Sequence, residues 1–412
     1  MTEDGGNDRP TLIRPPPIDP DKAPIENALD VLDLSVIGPL LPHRSAGTRR
    51  QDTRKQTKEA HLPDIGSTNA LVVLQNIFTN KRPLWHPPGA RGVFGGTMIS
   101  MCLAAGQKTV PDDFTVHSCH CYFILAGSAD IPVLFHVEKV RDGRSYATRT
   151  VQARQRGRAI FTTTMSFVKE SAASTGPAVP NHEFKDNVVR HTTPMPIDPQ
   201  TGRPVEPPPD DFDDEPELAS SSPFQTHRAT VVHGDGRPHT KRLRQWYRAR
   251  GKISEAGGHQ AHLNALAYVS DSYFIGTISR IHKLWRYPFP AHEFSTLPRQ
   301  TQEHIRRLND FEGYETNGGT QQSFEEFHEF WKDRPEIGMM VSLDHSIYFH
   351  EPRKVRADEW MLSEMESPWA GDGRGVVTQR IFAKDGTLLA TCFQEGVLRI
   401  KTPAATPGQP KL

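Results

Sequence analysis

The sequence predicts an α+β chain made of two copies of one unit. Three observations point there. First, short motifs recur in the same order. HCYF (His120–Phe123) is followed by DGR (Asp142–Arg144), and HSIYF (His345–Phe349) is followed by DGR (Asp372–Arg374). A threonine stands four residues after each arginine, at Thr148 and Thr378. Second, each copy opens with a helical segment of small residues and continues into β-rich runs, the order of an α+β unit. Third, those runs are joined by tight-turn sequences, as at Lys384-Asp385-Gly386-Thr387, where Asp-Gly signals a hairpin. Alternating β-α-β units are missing, which disfavours a doubly wound nucleotide-binding fold.

Along the chain, residues 1–60 read as a flexible leader rich in proline and charge, with Arg49, Arg50, Arg54, Lys55 and Lys58 clustered. An apolar patch from Leu29 to Leu41 is expected to dock on the body. Residues 61–170 form the first folded unit. Its helix is predicted over Gly95–Thr109, with Met98, Met101, Cys102 and Ala105 on one stripe. Arg156-Gly157 sits where a hairpin turn is expected. Residues 171–240 contain PVEPPPDDFDDEPE and read as an acidic, proline-rich linker. Of 35 prolines, nine lie in residues 1–63 and twelve in 171–240, so the excess marks those two stretches.

The second unit spans 241–402, and 403–412 form a tail. Its helix is predicted over His259–Phe274, with Leu263, Ala267 and Phe274 inward. A strand is predicted over Val341–Phe349, with Val341, Leu343, Ile347 and Phe349 on one face. Two more follow at Val376–Phe382 and Leu388–Ile400.

Composition excludes several classes. Lys+Arg and Asp+Glu both total 49, so the formal net charge is zero, which argues against a nucleic-acid partner. No run approaches the ~18 apolar residues of a membrane span, and the N-terminal stretch lacks the apolar core of a secretory signal. The four cysteines (Cys102, Cys119, Cys121, Cys392) contain no CxxC pair and read as reduced, buried thiols rather than a zinc site.

Asp271 is the most informative position. Leu263, Ala267 and Asp271 fall at i, i+4 and i+8 of the second helix, which puts a carboxylate on the inward face. A buried charge is expensive without partners. The alternatives are a backbone-bonding role or a frayed helix end. Ser342 and Gln394 lie on strands of the same unit, and spacing alone does not unite them with Asp271. His117 is a rival general base, since histidine titrates near neutral pH. Gly95-Gly96 reads as a place where helix and sheet backbones approach closely, not as a phosphate loop.

Several stretches together resemble a known family. They are VFGGTMISMCLAAGQKTVPDDFTVHSCHCYF (Val93–Phe123), RDGRSYATRTVQARQRGRAIFTTTMSF (Arg141–Phe167), RQWYRAR (Arg244–Arg250), HQAHLNALAYVSD (His259–Asp271), SLDHSIYFH (Ser342–His350) and FQEGVLR (Phe393–Arg399). They resemble the type II acyl-CoA thioesterases, the TesB-like double-hotdog family, over about two-thirds of the chain. The resemblance implies two hotdog domains, each a helix wrapped by an antiparallel sheet, with the sheets joined side by side. It implies a fatty acyl-CoA substrate and no metal or redox cofactor. It also implies catalytic Asp271, Ser342 and Gln394, which would activate water for direct attack on the thioester.

Ser342 stands where the bacterial members have threonine. The family's short helix-to-strand segment is replaced here by about 60 residues (Thr277–Met340, with the insertion proper at about 280–338), including SFEEFHEFW (Ser323–Trp331). Arg149, Arg154, Arg156 and Arg158 are expected either to meet the nucleotide of coenzyme A or to be solvated. Association of copies through the sheets is a further expectation. The ending Pro410-Lys411-Leu412 keeps the last two residues of a peroxisomal address, so the expected partner there is an import receptor and the expected location the peroxisome, otherwise the cytoplasm. A hotdog hydratase or dehydratase, and a non-catalytic acyl-CoA-binding or interaction protein, are the alternatives.

Overall fold

The computed structural model describes residues 15–34, 76–87, 92–170, 184–185, 188–216, 221–314 and 322–401. In the first half the strands are β1 (Val31–Asp33), β2 (Ile77–Asn80), β3 (Phe114–Phe123), β4 (Leu134–Asp142), β5 (Tyr146–Gln155) and β6 (Arg158–Lys169). A separate two-stranded ribbon, β7 (Phe184–Lys185) with β8 (Val188–Val189), follows. The second half has β9 (Phe224–Thr226), β10 (Thr230–Val232), β11 (Arg242–Ala249), β12 (Ile337–Ser342), β13 (Asp344–Phe349), β14 (Met361–Gly371), β15 (Arg374–Ala383) and β16 (Leu388–Ile400).

All but β7 and β8 join one antiparallel sheet, ordered β1-β2-β4-β5-β6-β3-β13-β16-β15-β14-β11-β10, with β12 on β16 and β9 on β11. The two halves meet at β3 and β13, where His120 faces Ser346 and Tyr122 faces Asp344. The repeated motifs HCYF and HSIYF are therefore each other's partners across the junction. This is the double-hotdog arrangement expected from the resemblance.

The described residues also form six α-helices: α1 (Pro24–Leu29), α2 (Gly95–Gln107), α3 (Gly258–Val269), α4 (Gly276–Ile281), α5 (Arg299–Phe311) and α6 (Phe324–Trp331). Helix α2 is buried on every side from Gly96 to Gly106. Its Gly, Ala, Ser and Cys residues let sheet and neighbouring helix come close, and Met101, Cys102 and Leu103 supply the apolar contact. Each large apolar side chain so buried contributes about 1.5–3 kcal/mol. Helix α3 packs against it, with Ser100 Oγ donating to the Asn264 carbonyl at 2.6 Å. The hairpin turns follow the residue types. Arg156 and Gly157 (φ 49° and 73°), like Asp372 and Gly373 (φ 50° and 71°), are left-handed at both central positions. No helix among the described residues is long and apolar enough to cross a membrane.

The fold differs from the sequence expectations in four places. Within the leader interval the apolar patch docks as expected where it is described, with Leu29 and Val31 buried, but the segment before it is structured too: α1 buries Ile25 and Asn27, and β1 pairs with β2. Glu26 fastens this segment to the second half, accepting from Ser254 N at 2.9 Å and Ser254 Oγ at 2.6 Å. The rest of the leader lies outside the described residues. Within the linker interval, β9 and β10 enter the sheet, so the second unit begins before residue 241. Scattered apolar residues explain this: Met195 and Phe212 pack with Trp246 and Trp360, while Glu215 pairs with Arg250. Proline there marks extended chain rather than lack of structure.

Helix α3 stops at Val269, so Asp271 lies in the turn after it, not on the helix. The predicted strand Val341–Phe349 is broken at Leu343 into β12 and β13, both paired with β16. His345, Ile347 and Phe349 face inward, and Val341 is exposed. The insertion is a helical block with its own core of Trp285, Phe294, Ile305, Tyr314, Phe327 and Trp331. Ser323 opens α6 as a capping box, accepting from Glu326 N at 3.1 Å while Glu326 Oε2 accepts from Ser323 N at 2.7 Å.

Candidate active site

Asp271, Ser342 and Gln394 converge, though they come from a turn and two strands. The register of β16 explains the last two. Ser342, the final residue of β12, faces Gly396, which sets Gln394 two residues further along the same strand. Gly396 must lack a side chain: a Cβ there would stand 2.6 Å from the Ile275 side chain and 2.9 Å from the Val341 carbonyl. The Gln-x-Gly pattern thus combines a buried amide with the space that lets the Asp271 turn lie against the sheet.

The amide of Gln394 is the hub. Its Nε2 donates to Asp271 Oδ1 at 2.8 Å and to Ser342 Oγ at 2.8 Å. Both amide protons are therefore committed, and that pairing fixes which end of the amide is nitrogen. Gln394 Oε1 is buried with no protein partner. Ser342 accepts from the amide, so its own hydroxyl proton is available to a ligand.

Burial pushes the Asp271 carboxyl up to about 7, against the opposing pull of hydrogen bonds from Gln394 and from the Gly96 N–H. Gly96 lies in the first turn of α2, whose amide dipoles favour a carboxylate there. Its neighbour Gly95 leaves no room for a side chain, because a Cβ would stand 2.5 Å from Asp271 Oδ2 and 2.7 Å from the Phe123 ring. The site is thus built from both halves of the chain. The glycine pair acts as the sequence reading expected, as a place of close backbone approach.

Several neighbours were not singled out by sequence reasoning. His345 is fully buried, with Nε2 3.1 Å from Ser270 Oγ and its ring edge-on to Phe274. Burial drives its pKa down to about 3, so the ring is neutral. Ser270 Oγ donates to the Ala267 carbonyl at 2.9 Å. This contact ties the residue before Asp271 to the strand that follows Ser342. Asp344 Oδ1 accepts from Glu395 N at 2.7 Å and so fixes the backbone next to Gln394. Ser346 Oγ meets His120 Nδ1 at 3.0 Å across the junction. The Asp344-His345-Ser346 run carried the signal: His345 holds the Asp271 turn, Asp344 the backbone beside Gln394, and Ser346 the junction between the halves.

His117 is placed differently from its role as a rival base. Its Nε2 lies 2.8 Å from Ser166 Oγ and its ring packs edge-on to Tyr146, so its bonded partner is a strand neighbour rather than Asp271, Ser342 or Gln394. Arg149 is not a solvated residue of an exposed strand. It is 1% exposed, and it latches the end of α2 by donating to Thr109 Oγ1 and to the Thr109 carbonyl, both at 2.8 Å. Arg156 and Arg158 are exposed at the turn, and Arg154 bonds Gln152 and the Gly157 carbonyl. All four cysteines are buried and unbridged. Among the described residues, no group of three or more His, Cys, Asp or Glu is placed to hold a metal ion.

Family models described as the acyl-CoA thioesterase N-terminal domain and C-terminal domain match residues 82–168 and 199–398. The acyl-coenzyme A thioesterase 8 of Homo sapiens is 32% identical over 343 residues, covering 78% of this chain and 84% of its own length. The peroxisomal acyl-coenzyme A thioester hydrolase 1 of Saccharomyces cerevisiae is 24% identical over 352 residues, covering 75% and 86%. Among solved structures, an acyl-CoA thioesterase II, TesB2 from Mycobacterium marinum, superposes with TM-score 0.50 at 24% identity, covering 80% of this chain and 94% of that one. That likeness shows a shared fold.

Proposed function

The chain belongs to the acyl-CoA thioesterase family and is a thioester hydrolase; on that premise we propose that it cleaves fatty acyl-CoA by direct attack of a water activated by Asp271, with Ser342 and Gln394 holding that water. The observation that carries the proposal is the Gln394 amide, which joins Asp271 and Ser342 at 2.8 Å each and leaves Oε1 free.

The unused hydrogen-bonding capacity matches a water. Ser342 has a proton to give, while Asp271 and Gln394 Oε1 have lone pairs to receive. A water accepting from Ser342 and donating to Asp271 and Gln394 keeps one lone pair for the thioester carbonyl. As its oxygen bonds to the carbonyl carbon, its proton passes to the ionised Asp271. The carbonyl electrons move to oxygen and return as the C–S bond breaks. The sulfur leaves as the coenzyme A thiolate and takes the proton from Asp271. The products are free fatty acid and coenzyme A, with no covalent enzyme intermediate. A carboxyl near pH 7 suits a group that must first take a proton and then give it back.

The test is thiol release from saturated short, medium, long and branched acyl-CoAs by wild type and Asp271→Asn. The proposal expects release by wild type and loss of most turnover in the variant. Near wild-type hydrolysis by Asp271→Asn would sink it. A hydratase would leave the thioester intact in the same assay. Peroxisomal residence belongs to the proposal as well, supported by the name of the yeast relative. A fluorescent fusion of the full chain that stays cytoplasmic in peroxisome-containing cells would refute it. The residues Pro410-Lys411-Leu412 lie outside the described part of the chain.

A further inference from the structure

Tyr273 stands two residues after Asp271 at φ +58°, a left-handed conformation that bulky side chains adopt only where the surroundings enforce it. Its ring is held by the Gln245 side chain, which bonds its hydroxyl, and by the guanidinium of Arg280, whose Cζ lies 4.3 Å from the ring centre. Arg280 is 6% exposed, near the end of α4. Gly276, at the start of α4, makes room for it: a Cβ there would stand 2.5 Å from Arg280 Nη1.

Arg280 stands at the start of the insertion and is in turn held by residues further along it. Its Nε donates to the Glu312 carbonyl at 2.6 Å and its Nη2 to Glu312 Oε2 at 3.4 Å. Arg286 approaches the same carboxylate oxygen at 2.7 Å. The Tyr314 ring lies 4.8 Å from Arg280 Cζ, and the Tyr314 hydroxyl meets Ser279 Oγ at 2.6 Å. Tyr314 belongs to the aromatic core that holds α5 and α6 together. Contact therefore runs unbroken from that core through Glu312 and Tyr314 to Arg280, to the Tyr273 ring, and so to the turn that carries Asp271.

We infer that the insertion is a brace for the catalytic turn, and that Arg280 is the positioning residue through which it holds Asp271 against Gln394. The inference rests on the proposed role of Asp271. Arg280 touches no substrate. It keeps Tyr273 in a conformation the turn would otherwise leave, and with it the direction of the carboxylate.

The test uses the full chain, the thiol-release assay and two substitutions. Arg280→Met removes the guanidinium and keeps the stem. Arg280→Lys keeps a charge for Glu312 but loses the planar stack, and it serves if the first variant does not fold. Each is expected to lower kcat about tenfold or more at nearly unchanged KM, because the group displaced is the base and not the binding surface. Adding Tyr273→Gly to either variant is expected to bring kcat back to within about threefold of wild type, since glycine takes the left-handed turn unaided. Arg280 acting only as a stabiliser predicts no such rescue. A folded Arg280→Lys with wild-type kcat, or a double variant without recovery, overturns the brace while leaving Asp271 catalytic. Full turnover in Asp271→Asn overturns both readings.

Discussion

Gly95 and Asp271 lie closer than any side chain at position 95 would permit, with a Cβ there only 2.5 Å from Asp271 Oδ2. One residue opens the helix of the first half and the other follows the helix of the second. The carboxylate therefore depends on a missing methyl group from the opposite half. Gly95→Ala is expected to displace Asp271 and lower kcat by about tenfold or more while the chain stays folded. Steady-state kinetics and circular dichroism check it, and wild-type kcat in a folded variant would count against this packing.

Asp271 also links activity to stability. Its folded pKa, about 7, lies above the ordinary carboxylate value. A group raised in this way contributes stability that is fully present below its unfolded pKa and lost as pH rises through its folded pKa. Asp271→Asn does not titrate. Its melting temperature is therefore expected to gain on that of wild type as pH rises from about 4 to 8. Equal differences at the two pH values would contradict the burial of this carboxyl.

The pH–rate profile follows from the same group. The proposed base must be ionised, so kcat/KM is expected to rise with pH and level off above about 7. Gln394→Glu sets a second carboxylate within hydrogen-bond distance of Asp271. Two such groups hold a proton between them, so the rising limb is expected to move to higher pH and the plateau to fall. An unshifted limb would argue that some other group is titrating.

Ser342 contributes one hydroxyl. Ser342→Ala leaves one Gln394 proton without its acceptor and the proposed water without its donor, and is expected to lower kcat by about 10–100-fold. Ser342→Thr keeps the hydroxyl and is expected to stay within about threefold of wild type, at the cost of a stiffer rotamer. Loss of activity in the threonine variant would show that the methyl group, not the hydroxyl, decides this position.

His345 predicts an acid effect of opposite sign. Its folded pKa, about 3, lies below the ordinary histidine value. The unfolded chain takes up that proton first, so wild-type stability falls as pH drops from about 6.5 toward 3. His345→Asn is expected to be less stable than wild type at pH 8 and to lose less on acidification. Parallel unfolding curves against pH would refute the neutral buried ring.

Much of this was legible in the sequence, because repeats and glycines report on backbone geometry. The motifs HCYF and HSIYF turned out to be paired strands, and Arg156-Gly157 and Lys384–Thr387 form the turns their residue types require. The end of α3 was not legible. Helical spacing runs on through Asp271, but the chain leaves the helix at Ser270, whose hydroxyl meets His345, a residue 75 positions away, and Tyr273 is left-handed. The strands within 171–240 were hidden for a related reason. Local composition there is that of unfolded chain, and only the partners Trp246, Trp360 and Arg250 give its apolar and acidic residues somewhere to go. Arg149 misled because periodicity shows which face a residue is on, not whether a cluster of carbonyls waits there.

The β3–β13 rung has a consequence for how the two copies have been able to change. Covalent linkage makes their pairing intramolecular, so it persists at any dilution and needs no self-complementary surface. Once the halves are tethered, identical sequence is no longer required of them. One half can keep a glycine floor and the other the carboxylate. The second half also carries an inserted helical block that two identical subunits would have had to accommodate twice, symmetrically, around a shared sheet.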